Sequence, residues 1–190
     1  MQVLECAKSR RTIRKFSDKP ISEEILKGYI DAARLAPSGA NLQPLKYAIV
    51  QSEESVSAVF DNVKWAGYLK GAYTPEKDER PTAYIAVFRD TAIPGTMAEF
   101  DAGAAIMTIN LAAEADGIGC CIMGAIDREN ICHILGTPSE LKLMYVIALG
   151  YKKEHPIYVD MEQSNVEYYL ENDTLHVPKR KNTEILIKIL

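Results

Sequence analysis

A mixed α/β sheet covered by helices is the fold class this sequence predicts, and three observations predict it. Short stretches rich in β-formers alternate along the chain with stretches whose apolar residues recur every three or four positions. The 190 residues, 47% hydrophobic and 25% charged, suffice for one well-buried domain and are few for two. No internal repeat or low-complexity linker divides them, so residues 1–190 read as a single domain.

The elements follow in order. Residues 3–7 form a short amphipathic start that leads into a basic segment, residues 9–16. Ser22 is a good helix N-cap, with Glu23 and Glu24 suited to the positive end of the helix dipole. Ile25, Leu26, Tyr29, Ile30 and Ala33 then mark a helix face that stops before Pro37. Residues 45–51 read as a strand, and 53–60 and 63–69 as helices. Residues 71–81 are a polar, proline-bearing loop of the length that often covers a site. A second strand spans 82–89. Residues 97–116 carry the longest helical pattern, closed by Gly117. Its face is small (Ala98, Ala102, Ala105, Ala112 and Ala113, with Ile106 and Ile109), which lets another backbone come close and predicts a central helix. A third strand at 119–123, a helix capped by Asp127 and running to about Leu135, and a fourth strand at 145–150 complete the pattern. The tail, 152–190, reads as polar and irregular up to an amphipathic piece at 183–190. Its Tyr168, Tyr169, Leu170, Ile185, Leu186 and Ile189 need a surface to bury them, and a partner subunit is the expected one.

Composition excludes several classes. A net charge of −4 argues against a general nucleic-acid binder. No apolar run approaches the roughly 20 residues of a membrane helix, and the start lacks an apolar signal core, so a cytoplasmic location is expected. Cys6, Cys120, Cys121 and Cys132 have no metal-ligand spacing with His133, His155 or His176, so no metal is expected.

Three segments could carry chemistry. Residues 9–16, S-R-R-T-I-R-K-F, combine guanidiniums and hydroxyls that suit a phosphate, although charge alone reads more simply as a solvated turn. Lys8, Arg10, Arg11, Arg14, Lys15 and Lys19 face a single acid, Asp18, and a second basic cluster, Lys179, Arg180 and Lys181, lies near the other end. Two such spots on an acidic chain suggest one small anion at one site. Residues 36–44, A-P-S-G-A-N-L-Q-P, join a helix to a strand and can present backbone and amide groups to a flat polar heterocycle; an ordinary connection needs only the proline and glycine. Residues 117–127, G-I-G-C-C-I-M-G-A-I-D, set glycines on both sides of a strand, where another backbone or a ring can approach closely.

In their order, these three segments resemble the nitroreductase family of FMN-dependent oxidoreductases. K-W-A-G-Y-L at 64–69, R-P-T-A-Y-I-A-V at 80–87 and H-V-P-K-R at 176–180 are similar to its small-subunit members, so the resemblance covers essentially the whole chain. It implies an α+β, nitroreductase-like sheet covered by helices in an intertwined homodimer, with the tail (about 152–190) packing on the partner subunit and one FMN at each of two interface sites. By the match, Arg10, Arg11, Thr12 and Arg14 contact FMN, Arg10 chiefly at the phosphate, where Lys179 and Arg180 join it. Pro37, Ser38, Gly39, Asn41 and Gln43 come from the partner, the backbone at Met123 and Gly124 reaches N5 and O4 of the ring, and Asn62 faces its pyrimidine edge. Leu45 departs from the family, many of whose members have tryptophan there, and Met123 stands where some have glutamate.

The resemblance further implies a ping-pong cycle: NADH or NADPH gives hydride to flavin N5, leaves, and makes room for a small organic acceptor such as a nitroaromatic or quinone. Arg14 is the expected cation at N1 and O2, and no side chain is needed as acid or base. Two alternatives stand. One is other FMN chemistry in the same family, such as dehydrogenation, dehalogenation or flavin fragmentation. The other is a non-catalytic dimer that binds a phosphorylated metabolite.

Overall fold

In the computed structural model, which describes residues 2–190, a four-stranded sheet carries the molecule. Its strands β1 (Leu45–Val50), β2 (Ala83–Asp90), β3 (Ile118–Met123) and β4 (Leu141–Tyr151) lie in the order β1-β2-β4-β3, all antiparallel. The inner pair, β2 and β4, reads as near-continuous apolar sequence because both of its faces are covered.

Helices α2 (Glu23–Arg34) and α4 (Ala98–Ala115) pack on one face, where Leu26, Tyr29 and Ala33 meet Ala102, Ala105, Ile106 and Ile109 above Ile85, Val87, Ile147 and Leu149. The alanine-rich face of α4 is what lets α2 and the sheet close on it from two sides, as its small residues predict. Helices α3 (Glu53–Phe60) and α5 (Arg128–Leu135) cover the other face, with Val59, Phe60 and Ile131 against Tyr84, Phe88 and Val146. Ser22 and Asp127 cap α2 and α5 as expected, each accepting from the backbone N–H three residues on.

The basic segment does not lie on the surface as a free turn. It follows the short helix α1 (Val3–Ser9), runs beside β3 through a parallel bridge between Thr12 and Cys120, and buries Ile13 and Phe16 in the core under α3 and α5. Two glycines make this possible. Gly119 and Gly150 oppose one another across β3 and β4, and an added Cβ there falls 2.6 Å from Ile13 Cβ and 2.7 Å from Phe16 Cβ.

Two expectations are corrected. Residues 63–69 are not a helix: Val63 bridges to Ile126, and only Gly67–Leu69 makes a single 3₁₀ turn, between Ala66 and Lys70 in the left-handed region. The tail is not irregular. Strands β5 (Ile157–Asp160), β6 (Tyr169–Glu171) and β7 (Thr174–Lys179) form a second sheet in the order β5-β7-β6, with β5 and β7 parallel. Beyond it the helix α6 is only Asn182–Ile185, shorter than the amphipathic 183–190 piece predicts. Tyr169, Leu170, Ile185, Leu186 and Ile189 stay exposed on this chain, whereas Tyr168 is half-buried beside Ala66, Tyr73 and Leu175. No helix among the described residues is long and apolar enough to cross a membrane.

Candidate functional site

The two basic spots meet. Helix α1 ends at Ser9, where Arg10 N–H donates to the Cys6 carbonyl, and β7 ends at Lys179. Between these ends lies a cleft of about 700 Å³ lined by Lys8, Arg10, Arg11, Lys179, Arg180 and Lys181, with Tyr158 and Asp160 contributed by β5. The parallel register that sets Asp160 opposite Lys179 fixes β7 against β5, and Met161 N–H donates to the Lys179 carbonyl at 2.8 Å. On the other side Ser9 Oγ donates at 2.7 Å to the buried carboxylate of Glu114, which also pairs with Lys152. Both rims are therefore held by bonds that do not use the side chains of Lys8, Arg10, Lys179 or Lys181.

Its electrostatics call for an anion. The Nε atoms of Arg10 and Arg11 are buried and have no hydrogen-bond partner. Burial, and then the adjacent Arg10 guanidinium, push the Arg11 pKa below its ordinary value. Arg11 lies over the Tyr158 ring at 4.9 Å. Like charges gathered with unused donors are the donor set of a phosphate site, in which each charge-assisted bond contributes about 1.5–3 kcal/mol.

Other candidate residues lie elsewhere on the chain. Thr12 is at the bridge to Cys120. The Arg14 guanidinium stacks over Tyr168 at 4.7 Å, and its backbone N–H donates to Glu154, which also accepts from Lys15 N–H at 3.1 Å and from the Tyr73 hydroxyl. Asn62 is anchored locally through Nδ2, which donates to the Ala58 carbonyl at 2.9 Å. Met123 closes β3 and is buried, and Gly124 lines a separate opening of about 540 Å³ with Lys64, Asp127 and Arg128.

The loop carrying Pro37, Ser38, Gly39, Asn41 and Gln43 forms a third place. Pro37, Ser38 and Gln43 line a cleft of about 200 Å³ with Arg34, Tyr47 and Asp101. Ala40, Asn41 and Gln43 all sit at positive φ (50°, 56° and 52°), a conformation that needs strong outside support in residues other than glycine. Asp101, only 2% exposed on α4, supplies it by accepting from Ser38 Oγ at 2.7 Å and Gly39 N–H at 2.8 Å. Gly39 is required because a Cβ there would fall 2.7 Å from Met97 Cβ. Gln43 Nε2 donates to Asn41 Oδ1 at 3.0 Å, so the two amides hold one another.

Sequence reasoning missed Asp101, Glu154 and Tyr158, and singled out Tyr168 only as a tail residue in need of burial, not as the ring under Arg14. An acid among the alanines of α4 was a readable signal for Asp101. Glu154 and the two tyrosines carry none, since their roles depend on where the tail folds back.

Comparison with known proteins agrees with the family the sequence resembles. A model described as the nitroreductase family matches residues 7–151. An Archaeoglobus fulgidus protein, provisionally designated an NADH dehydrogenase/NAD(P)H nitroreductase, is 31% identical over 168 residues, which cover 83% of this chain and 91% of its own. The 5,6-dimethylbenzimidazole synthase of Rhodospirillum rubrum is 30% identical over 173 residues, 78% of this chain and 81% of its own. A crystal structure from Desulfovibrio desulfuricans, provisionally a nitroreductase and in complex with FMN, has a TM-score of 0.71 at 22% identity, covers 100% of this chain and 98% of that one, and shares the fold.

Proposed function

The chain belongs to the nitroreductase family, and from that premise we propose that it is an FMN-dependent oxidoreductase that carries hydride from NADH or NADPH to a small organic acceptor such as a nitroaromatic or quinone. The observation that carries this reading is the cleft where Arg10 and Arg11 meet Lys179 and Arg180, with two buried guanidinium nitrogens lacking partners. When bound, FMN supplies the redox chemistry, accepting hydride and releasing electrons to the acceptor. The chain's own residues bind and polarise. Arg10, Arg11, Lys179 and Arg180 neutralise the phosphate, with the Thr12 hydroxyl as a further donor. Arg14, braced by Tyr168 and Glu154, is assigned to the charge that develops at N1 and O2 of the reduced ring. The backbone N–H groups at Met123 and Gly124 are assigned to N5 and O4, and Asn62 to the pyrimidine edge, where its Oδ1 remains for the task.

A homodimer completes the site in this reading. Pro37, Ser38, Gly39, Asn41 and Gln43 line or neighbour a different cleft of the same chain, so a ring held beside the basic segment takes them from a partner subunit. Exposed Val3 and Leu4 on α1, Phe100 and Met107 on α4, and Ile185, Leu186, Ile187 and Ile189 of the tail supply apolar surface for that contact.

A second reading keeps the flavin and changes the reaction, since a relative 30% identical bears the name of a synthase. One experiment tests both. The purified protein is expected to be yellow and to bleach anaerobically with NADH or NADPH, and to regain colour with a nitroaromatic or quinone. Bleaching without recovery on any acceptor favours the second reading. A colourless protein that takes up no added FMN overturns both and favours a non-catalytic binder of a phosphorylated metabolite.

A further inference from the structure

The basic cleft is larger and more positive than one phosphate group requires. Asp160 and Glu184, the latter 3.8 Å from Arg180, offset two of its six cations, and a phosphomonoester dianion offsets two more. Two positive charges remain unmatched. Lys8 and Lys181 form no ion pair among the described residues. A volume of about 700 Å³ is on the scale of sites that enclose a whole drug-sized ligand, not a single phosphoryl group.

The part of the lining that β5 contributes has the chemistry of a nucleoside site. Tyr158 is 58% exposed, and its ring already carries the Arg11 guanidinium at 4.9 Å. An accessible aromatic ring beside an arginine is a stacking platform for a base. Asp160, next but one along β5, can accept hydrogen bonds from a ribose hydroxyl or an exocyclic amine but cannot attract phosphate. Cations, an accessible ring and a carboxylate lining one cleft match a nucleotide held there.

We infer that this cleft binds, beside the FMN phosphate, an adenosine phosphate group, with Tyr158, Lys8 and Lys181 as its contacts. The inference rests on the proposed FMN site for the first phosphate. Two sources present this chemistry: the adenosine half of the reduced nicotinamide donor, or the adenylate of FAD taken up in place of FMN.

Isothermal titration of the FMN-loaded protein with 2′,5′-ADP and with 5′-AMP is the test, alongside FAD and FMN titrations of the flavin-free protein. Measurable binding of 2′,5′-ADP is expected, weakened about tenfold by Lys8→Gln with Lys181→Gln, while the flavin absorbance of the variant is unchanged. Tyr158→Ser is expected to weaken both adenosine phosphates. If FAD displaces FMN and then excludes 2′,5′-ADP, the source is the flavin's own adenylate; if FAD binds no better than FMN and 2′,5′-ADP still binds, it is the nicotinamide donor. Absence of binding by 2′,5′-ADP, 5′-AMP and FAD to a protein that retains FMN overturns the inference and leaves the oxidoreductase reading intact, as does binding indifferent to all three substitutions. A chain that takes no FMN yet binds 2′,5′-ADP does the reverse.

Discussion

Gly119 and Gly150 face each other across the β3–β4 ladder, and the space their missing Cβ atoms leave is filled by Ile13 and Phe16. The same contact that buries two apolar side chains therefore holds the basic segment against the sheet, with Ile13 N–H donating to the Cys120 carbonyl at 2.9 Å. Gly119→Ala is expected to cost about 1–3 kcal/mol by overpacking and to lower FMN retention because the segment must shift. The nearest atom is Ile13 Cβ itself, at 2.6 Å. Trimming Ile13 to alanine leaves that contact in place, so the double variant is expected to be no more stable than Gly119→Ala. Urea unfolding of both checks this, and a double variant that recovers the lost stability contradicts it.

Most of the large sheet and its helices could be read from the chain, because alternation, caps and the small face of α4 are local signals. The glycine pair was legible as a place of close approach, but not what approaches, since Ile13 and Phe16 lie more than a hundred residues from Gly119 and Gly150. The second sheet escaped notice for a physical reason. Strand β6 has three residues, all exposed, and β5 four with none buried, so neither has an apolar alternation to detect. The convergence of Arg10 with Arg180 followed from composition and family resemblance together; the placing of Tyr158 depends on that second sheet and could not.

Asp101 fixes the loop that the dimer reading assigns to the partner's flavin. Its carboxylate takes the Ser38 hydroxyl and the Gly39 amide, and Ser38 Oγ in turn accepts from Gln43 N–H at 2.9 Å. Asp101→Ala leaves these donors without an acceptor at a site where three non-glycine residues are at positive φ. A loss of about 3–6 kcal/mol is expected from two bonds to a charged acceptor, with faster amide exchange at residues 38–43. Asp101→Asn, which keeps one acceptor oxygen, is expected to lose less. Equal losses in the two variants speak against this role.

The thiols of Cys120 and Cys121 set a limit to alkaline stability. Burial pushes the Cys120 thiol up to about 12, with Cys121 and Glu114 adding to it; burial pushes Cys121 up to about 11, against the pull of Arg14. The folded state holds both protonated while the unfolded chain releases its protons near the ordinary value of 9.0. Their contribution is thus complete below pH 9 and is lost as pH rises toward 11–12. Each thiol removes about 1.4 kcal/mol per pH unit across that window. Replacing both by alanine is expected to flatten the fall of the urea midpoint between pH 9 and 11, after allowance for a lower starting stability. Parallel profiles for the two proteins contradict the assignment.

Arg14 is held twice, and the two holds can be separated. Glu154 grips its backbone, together with that of Lys15 and the hydroxyl of Tyr73, whereas Tyr168 lies under its guanidinium. If its charge stabilises the reduced flavin, Arg14→Ala is expected to slow anaerobic reduction by NADH or NADPH about tenfold or more, and Arg14→Lys to keep most of the rate. Glu154→Gln leaves the guanidinium and its ring partner in place but weakens three bonds to a charged acceptor. Its expected effect is faster FMN loss and faster amide exchange at Arg14 and Lys15, with little change in the reduction rate of the protein that remains loaded. A rate that falls equally in Arg14→Ala and Arg14→Lys points to fork geometry instead of charge. A rate that falls in Glu154→Gln at full flavin loading makes the backbone clamp, not the guanidinium, the part of this segment that governs hydride transfer.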